Sequence, residues 1–357
     1  MVTSPAGTSR IKVIIAGGGT GGHLFPGIAL AQSYPCKPLF LCTNRPFDNQ
    51  QLSRYGFDFR VLPSPRLSFK PAFIIDMVKS LYESFKHFEK FRPDFIVGVG
   101  GYGSFSPLLV ALLKRIPFVL LEQNSLPGRI TRVFNPFAKV IMCQWSSSAG
   151  YLYNRNNISV TGSPLRKEIK KIARSEARSK LGLTREKVIA VIGGSQGARP
   201  INEVFINKAG YLGKSFGKLA IIHLTGEKDY NEAKSAYDKN GIESFVSPFY
   251  EDMSIIYSAA DMVLSRSGGI AIAEMAFFGL PMVLVPFPQA ADNHQFFNAR
   301  DVVANGAGII VPQNKLGEKL DDVVRIIFDQ ERVAEMSRKA RTLGVYCGSL
   351  TDILTFH

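Results

Sequence analysis

A β-branched run, Ile11-Lys12-Val13-Ile14-Ile15-Ala16, leads straight into Gly17-Gly18-Gly19-Thr20-Gly21-Gly22-His23 and on to Pro26, a residue suited to opening a helix. A strand, a glycine turn and a helix start are the parts of an anion cradle. Glycine lets backbone approach the anion, and the helix N-terminus offers unpaired N–H groups and the positive end of its dipole. A histidine on the lip adds a group that exchanges a proton near neutral pH. The same unit recurs about 176 residues later, where Lys187-Val188-Ile189-Ala190-Val191-Ile192 runs into Gly193-Gly194-Ser195-Gln196-Gly197-Ala198. Two such starts in one chain predict two doubly wound, Rossmann-like α/β domains facing a cleft, with ligands outside the carboxyl ends of the strands.

The rest of the chain reads the same way. Strand-like runs fall near 11–16, 38–42, 58–62, 94–99, 117–121 and 139–142, with helices near 26–34, 72–91 and 104–114. After a charged helix at 167–181, strands fall near 187–192, 218–224, 244–247, 261–264, 281–285 and 308–311. Helices there are expected near 199–210, 229–239, 252–259, 269–278, 292–305 and 316–329. We expect an N-terminal domain over 1–165 and a C-terminal domain over 166–340. A helical segment over 341–357 is expected to pack back on the first domain.

Composition narrows the class. The 357 residues are 46% hydrophobic, which is globular, and no apolar run reaches the length of a membrane span. The polar stretch Met1 to Arg10 lacks an apolar signal core. Cys36, Cys42, Cys143 and Cys347 are far apart and read as reduced thiols. The net charge of +14 is uneven: residues 1–165 hold 18 Lys/Arg against 7 Asp/Glu. A basic half suits an anionic partner or simply solubility. No zinc knuckle or aromatic recognition motif supports a nucleic acid as that partner. Arg66 to Arg92 interleaves Phe69, Phe73, Ile74, Val78, Leu81, Tyr82, Phe85, Phe88 and Phe91 with basic residues, as a segment resting on a membrane surface does. Phe85, Phe88 and Phe91 suit a protein core equally well. Phe69, Lys70, Phe73 and Ile74 are the expected lipid contacts.

The glycines Gly17, Gly19 and Gly22 also fit the dinucleotide fingerprint, but the second strand ends in Thr43-Asn44-Arg45 with no ribose-binding acid. Arg45 leaves an NADP-dependent oxidoreductase as an alternative of a different class. A third turn weighs against it. Asp261-Met262-Val263-Leu264 leads through Ser265-Arg266-Ser267-Gly268-Gly269 into a helix bearing Glu274, placed for the two hydroxyls of a nucleotide ribose. The bland alternative makes Glu274 a solvated surface acid. No Asp-x-Asp and no ligand-spaced His/Cys/Asp cluster is present, so neither metal nor cofactor is expected. Arg166 is the cation best placed to meet a departing diphosphate, unless it is an ordinary surface arginine.

Six motifs occur in one order: Gly17–His23, Gly-Gly-Tyr-Gly-Ser at 100–104, Glu-Gln-Asn at 122–124, Gly-Gly-Ser-Gln-Gly-Ala at 193–198, Arg-Ser-Gly at 266–268 with Glu274, and Asp-Asn-His-Gln at 292–295. Together they resemble the MurG family, the bacterial UDP-N-acetylglucosamine transferases that make lipid II. The resemblance implies a B-type glycosyltransferase. Its members move N-acetylglucosamine, with inversion, from UDP to the 4-hydroxyl of undecaprenyl-diphospho-N-acetylmuramoyl-pentapeptide in peptidoglycan synthesis. It also implies a peripheral place on the cytoplasmic face of the inner membrane, at an anionic surface and beside other cell-wall enzymes. A B-type transferase acting on another lipid stays open.

Carried over, the resemblance gives Thr20, Gly21 and Gly22 a place beside the donor sugar and Asn124 a hydrogen bond to it. Arg166, Ser195 and the neighbouring Gln196 would bind the diphosphate, and Tyr250 would meet the uracil through its backbone. Gly269, Ile270, Ala271, Ile272 and Ala273 would supply helix-start contacts, Glu274 would hold the ribose and Gln295 would read the sugar hydroxyls. His23 is the candidate base and Glu122 a second; either could instead be structural. The chain departs from the family at Ala271, where a hydroxyl is usual, at Ser163, where asparagine is common, and at Leu121, where histidine is common.

Overall fold

The computed structural model describes residues 11–64, 71–194 and 196–343, with 71 and 72 by backbone alone. Arg66, Phe69, Lys70, Ser195, Cys347 and the segment 344–357 lie outside the described residues. The chain divides into two compact units after Lys167.

In the first unit the strands are β1 (Ile11–Ala16), β2 (Cys36–Cys42), β3 (Phe59–Val61), β4 (Phe95–Gly98), β5 (Phe118–Glu122), β6 (Val140–Cys143) and β7 (Ile158–Val160). They form one parallel sheet in the order β3-β2-β1-β4-β5-β6-β7. Alternation along β1 sends Val13 and Ile15 into one buried layer with Phe40 and Val97, and Ile14 and Ala16 into the other with Leu41 and Ile96. Both faces are covered, which is why these strands read as continuous apolar runs. Among the elements not read from the sequence are β7, whose three residues give no period, and helices over Pro46–Arg54 and Arg129–Phe134.

The first helix also differs. It spans Gly21–Ser33, not 26–34, and Pro26 lies inside it. The Thr20 carbonyl accepts from His23 N (3.1 Å) and Leu24 N (3.0 Å), so the helix opens within the glycine run itself. Proline carries no N–H to donate to the Gly22 carbonyl, so the helix runs through Pro26 with that one bond missing. The shift places His23 in the first turn.

The second unit holds β8 (Lys187–Ile192), β9 (Leu219–Leu224), β10 (Glu243–Ser247), β11 (Met262–Ser265), β12 (Met282–Leu284) and β13 (Gly308–Ile310), parallel in the order β10-β9-β8-β11-β12-β13. The expected charged helix is shorter, Arg174–Lys180. Residues 168–172 run instead as a strap along the Met253–Ala259 helix. Lys170 N donates to Ser254 Oγ (3.1 Å), Ser254 Oγ to the Glu168 carbonyl (2.9 Å) and Ile172 N to Ser258 Oγ (3.3 Å). The single helix expected over 199–210 is two, Arg199–Asn207 and Ala209–Ser215.

Behind β8 and β9 sits a wholly buried polar group. His223 lies 2.8 Å from Tyr237 Oη through Nδ1 and 3.0 Å from Asn202 Oδ1 through Nε2. Asn202 Nδ2 donates to the Thr225 carbonyl (2.8 Å) and to Asp229 (2.6 Å), which Arg199 pairs with at 2.8 Å. Burial pushes the His223 imidazole down to about 3. Burial likewise pushes the Cys36 thiol up to about 11 and those of Cys42 and Cys143 up to about 12, so these buried thiols carry no thiolate. Among the described residues no helix is long and apolar enough to cross a membrane.

Candidate active site

Strand order locates the chemistry. In each sheet the direction of winding reverses at one pair of strands, β1/β4 in the first and β8/β11 in the second. Ligands bind outside the carboxyl ends of such pairs. In the first unit those ends carry Gly17–Thr20 and Val99–Gly101. In the second they carry Gly193–Ala198 and Arg266–Gly268.

The loop after β1 is held by a residue that sequence reading passed over. Asp48, fully buried on the Pro46–Arg54 helix, accepts from Gly19 N at 2.7 and 2.9 Å, from Thr43 Oγ1 at 2.5 Å and from Thr43 N at 3.3 Å. A Cβ on Gly18 would stand 2.5 Å from an Asp48 oxygen, which fixes glycine there. Arg45 Nη1 donates to the Gly19 carbonyl at 2.5 Å. That arginine, the one hint of a phosphorylated dinucleotide, is therefore engaged by the turn itself. Thr20 is exposed, Gly21 and Gly22 follow it into the helix, and Thr20 Oγ1 lies 3.2 Å from His23 Nδ1. The imidazole lies over the turn after β4, where a Cβ on Gly100 or Gly101 would come within 3.1 or 3.2 Å of the ring.

Glu122 ends β5 with its carboxylate buried and saturated. Oε1 accepts from Asn124 N (3.0 Å) and Asn124 Nδ2 (3.2 Å), and Oε2 from Gly128 N (2.8 Å) and Thr131 Oγ1 (2.6 Å). Burial pushes its pKa up, while the four donors pull the other way. Arg166 belongs to this first unit. Its guanidinium stacks 3.9 Å from the centroid of Phe25, and Nη1 donates to Tyr55 Oη at 3.3 Å.

The second unit has an open cavity of about 600 Å³ at its switch point. Gly194, Gln196, Gly268, Ala271 and Gln295 line it, so the diphosphate-loop, helix-start and sugar-reading candidates are brought together. The Arg266 guanidinium lines it too. It donates to the Val285 (3.0 Å) and Pro286 (3.2 Å) carbonyls and to Gln313 Oε1 (2.7 Å), and burial lowers its pKa. The turn after β11 is fixed from behind. Ser267 Oγ donates to the Gln295 carbonyl (2.8 Å) and Asn298 Nδ2 to the Ser267 carbonyl (3.0 Å). Gln295 Oε1 accepts from Phe287 N at 2.9 Å, so its oxygen is engaged by backbone and its amide nitrogen is the donor end.

Along the Gly269–Phe278 helix the candidates separate. Ala271 faces the cavity, but Ile270, Ile272 and Ala273 are buried side chains that leave only backbone for a ligand. Glu274 is 6% exposed, so the surface-acid alternative is excluded. Tyr250 follows β10 with its ring edge-on to Phe245, 5.3 Å between centroids.

On the Pro71–Phe91 helix of the first unit, Ile74, Ile75, Val78, Tyr82 and Phe85 are all exposed. Steps of three and four put them on one face. Phe88 is in the core, Phe91 packs against it and Phe73 is half-buried. The exposed stripe therefore extends further along the helix than the expected contacts, and Phe85 belongs to it.

Two family models match in register with the two sheets: the glycosyltransferase family 28 N-terminal domain over residues 13–143 and its C-terminal domain over 188–348. The architecture is that of the B-type glycosyltransferases. Among curated relatives, the UDP-N-acetylglucosamine–N-acetylmuramyl-(pentapeptide) pyrophosphoryl-undecaprenol N-acetylglucosamine transferase of Thermodesulfovibrio yellowstonii is 35% identical over 94% of both chains. That of Desulfotalea psychrophila is also 35% identical, again over 94% of both. The crystal structure of Acinetobacter baumannii MurG superposes with a TM-score of 0.76 at 25% identity, covering 96% of this chain and 98% of that one. The UDP-GlcNAc 2-epimerase of Neisseria meningitidis, at 16% identity and a TM-score of 0.64 over 96% and 99%, shares the fold alone. The chain belongs to the MurG family of glycosyltransferase family 28.

Proposed function

We infer that this protein transfers N-acetylglucosamine from UDP-N-acetylglucosamine to the 4-hydroxyl of undecaprenyl-diphospho-N-acetylmuramoyl-pentapeptide, converting lipid I to lipid II. The observation that carries this reading is full-length membership of the family combined with the cavity that gathers Gln196, Ala271 and Gln295 at one switch point. In the reaction the acceptor oxygen attacks the anomeric carbon as the bond to the diphosphate breaks. The electron pair leaves with UDP and the configuration inverts. A base must take the hydroxyl proton, and fixed dipoles must meet the charge that develops on the leaving group.

His23 is the base in this reading, with Thr20 orienting its ring. Glu122 is assigned to holding Asn124, since its carboxylate already serves four donors. The start of the Gly269–Phe278 helix and the Gly193–Ala198 loop, with Ser195 and Gln196, stabilise the departing diphosphate through backbone N–H groups, and Arg166 supplies a positive charge. The residue at 271 contributes its amide only. Tyr250 meets the uracil, Glu274 the ribose, Asn124 and the amide nitrogen of Gln295 the sugar.

Two measurements test this. UDP is expected to raise the melting temperature and NADP to leave it unchanged. Turnover on lipid I is expected to persist in excess EDTA, because in this reading amides and arginine carry the charge that a divalent ion would otherwise meet. Loss of activity in EDTA with rescue by magnesium or manganese overturns the charge assignment.

The apolar stripe at Ile74, Ile75, Val78, Tyr82 and Phe85, with exposed Lys79, Lys86 and Lys90 on the same helix, is the proposed contact with the anionic cytoplasmic surface where the lipid acceptor resides. That contact makes the protein a peripheral one, placed to meet other cell-wall enzymes. Burying one such side chain contributes roughly 1.5–3 kcal/mol. The double variant Val78→Asp/Tyr82→Asp is thus expected to lose at least tenfold in co-sedimentation with anionic vesicles, at unchanged kcat on a detergent-solubilised short-chain acceptor. Equal binding of the unaltered protein to neutral and anionic vesicles removes the electrostatic part.

A further inference from the structure

Glu274 is held from outside its own helix. Tyr257 Oη, from the Met253–Ala259 helix, donates to Glu274 Oε2 at 3.2 Å, and both side chains are buried, at 3% and 6% exposure. The phenol is itself immobilised. Its ring packs on Phe278, with centroids 5.4 Å apart, at the far end of the helix that bears Glu274. The helix that carries Tyr257 is pinned as well. Asp252 caps it by accepting from Ser254 N (3.1 Å), and the 168–172 strap binds Ser254 and Ser258. A rigid support thus ends in one hydroxyl aimed at one carboxylate oxygen.

We propose that Tyr257 is the positioning residue for Glu274 and so sets the discrimination of the donor site for nucleotides that carry ribose hydroxyls. The proposal rests on the reading of Glu274 as the ribose acid. A glutamate has three rotatable bonds, and a carboxylate that must accept two hydroxyls at once gains from having them fixed beforehand. A buried hydroxyl-to-carboxylate bond supplies that restraint and lowers the cost of keeping the charge out of water. Tyr257 touches no substrate. It acts through Glu274, and its removal therefore costs affinity for the ribose and leaves the chemical step alone.

The test uses the full-length protein, with UDP and 2′,3′-dideoxy-UDP as titrants and turnover measured at saturating donor. The unaltered protein is expected to prefer UDP by about tenfold or more. Tyr257→Phe keeps the ring on Phe278. It is expected to weaken UDP binding and raise the donor KM by about tenfold, to leave kcat within about twofold, and to bring the UDP preference close to one. In the background of Glu274→Gln, adding Tyr257→Phe is expected to change donor affinity by less than about twofold, because the effect runs through the carboxylate. A uniform loss of affinity for both titrants, or an additive double variant, assigns Tyr257 to packing alone and overturns the proposal. Equal affinities of the unaltered protein for UDP and its dideoxy analogue overturn the ribose reading of Glu274, and the proposal falls with it. A preference that survives Tyr257→Phe overturns the proposal only.

Discussion

Replacing His23 with alanine is expected to lower kcat by about a hundredfold or more while the KM for UDP-N-acetylglucosamine stays within about threefold. The argument starts at the helix boundary. Because the helix opens at Gly21, the imidazole belongs to its first turn, with Thr20 Oγ1 3.2 Å from Nδ1 and the Gly100–Gly101 backbone beneath the ring. A base contributes to the transition state and little to the ground state, so its loss appears in kcat. Were His23 only a shaping residue, alanine would loosen the Gly17–Gly22 loop, and donor KM would rise with turnover largely kept. Steady-state kinetics on a soluble lipid I analogue distinguishes the two. Turnover above about a tenth of the unaltered rate refutes the base assignment. Thr20→Val checks the orienting bond: it keeps the shape, removes the hydroxyl, and is expected to cost less than His23→Ala.

The second large effect is expected at Gly197. Its φ is +75°, and a Cβ there would stand 1.9 Å from the Thr225 carbonyl oxygen and 2.6 Å from its carbon. Backbone cannot step aside as a side chain can, because Thr225 N is tied to the Ser247 carbonyl (3.0 Å) and Gly226 N to the Pro248 carbonyl (2.9 Å). Gly226 returns the contact, since a Cβ on it would lie 2.4 Å from the Gln196 carbonyl oxygen. The loop after β8 and the turn after β9 therefore interlock glycine against backbone. Gly197→Ala is expected to destabilise the second unit by about 3 kcal/mol or more, from overpacking and backbone strain together, and to abolish the thermal shift given by UDP. Gly194 is the control. Its φ is +101° but nothing lies within 4 Å of an added Cβ, so alanine there carries strain alone, about 1 kcal/mol. Differential scanning calorimetry with and without UDP reads both; equal effects at 194 and 197 refute the interlock.

What the sequence disclosed, and what it hid, divide along one physical line. Glycine turns are written locally, because a left-handed backbone demands glycine at that very position, and strand runs buried on both faces are written in their own apolar content. Both sheets were legible for that reason, as was the helix bearing Glu274. Asp48 was not. It acts on Gly19 from 29 residues away, on a helix whose sequence Pro-Phe-Asp-Asn-Gln-Gln carries little apolar period. Tyr257 and Asn298 were hidden in the same way, since each acts on a turn or acid contributed by another element. Pro26 misled for the opposite reason: its local preference for a helix start yielded to the Thr20 carbonyl, which accepts the opening bonds. The sequence leaves Glu122 open as a second candidate base or a structural acid. Only the fold shows four donors converging on it.

The buried imidazole on β9 ties the integrity of the second unit to acidity. Asn202 presents its oxygen to His223, having committed its nitrogen to Thr225 and Asp229, so the ring proton resides on Nε2 and Nδ1 accepts from Tyr237. A second proton, on Nδ1, forces the Tyr237 hydroxyl to turn from donor to acceptor and leaves the phenol proton to find another partner. The unfolded chain takes up the second ring proton near pH 6.5, whereas the native one resists it down to about 3. The native state thus binds fewer protons, and the stability this difference supplies is complete above roughly pH 6.5 and drains away as the medium sours. Since the same asparagine donates to the Thr225 carbonyl, protonation of the ring is expected to loosen the turn after β9 that packs against Gly197.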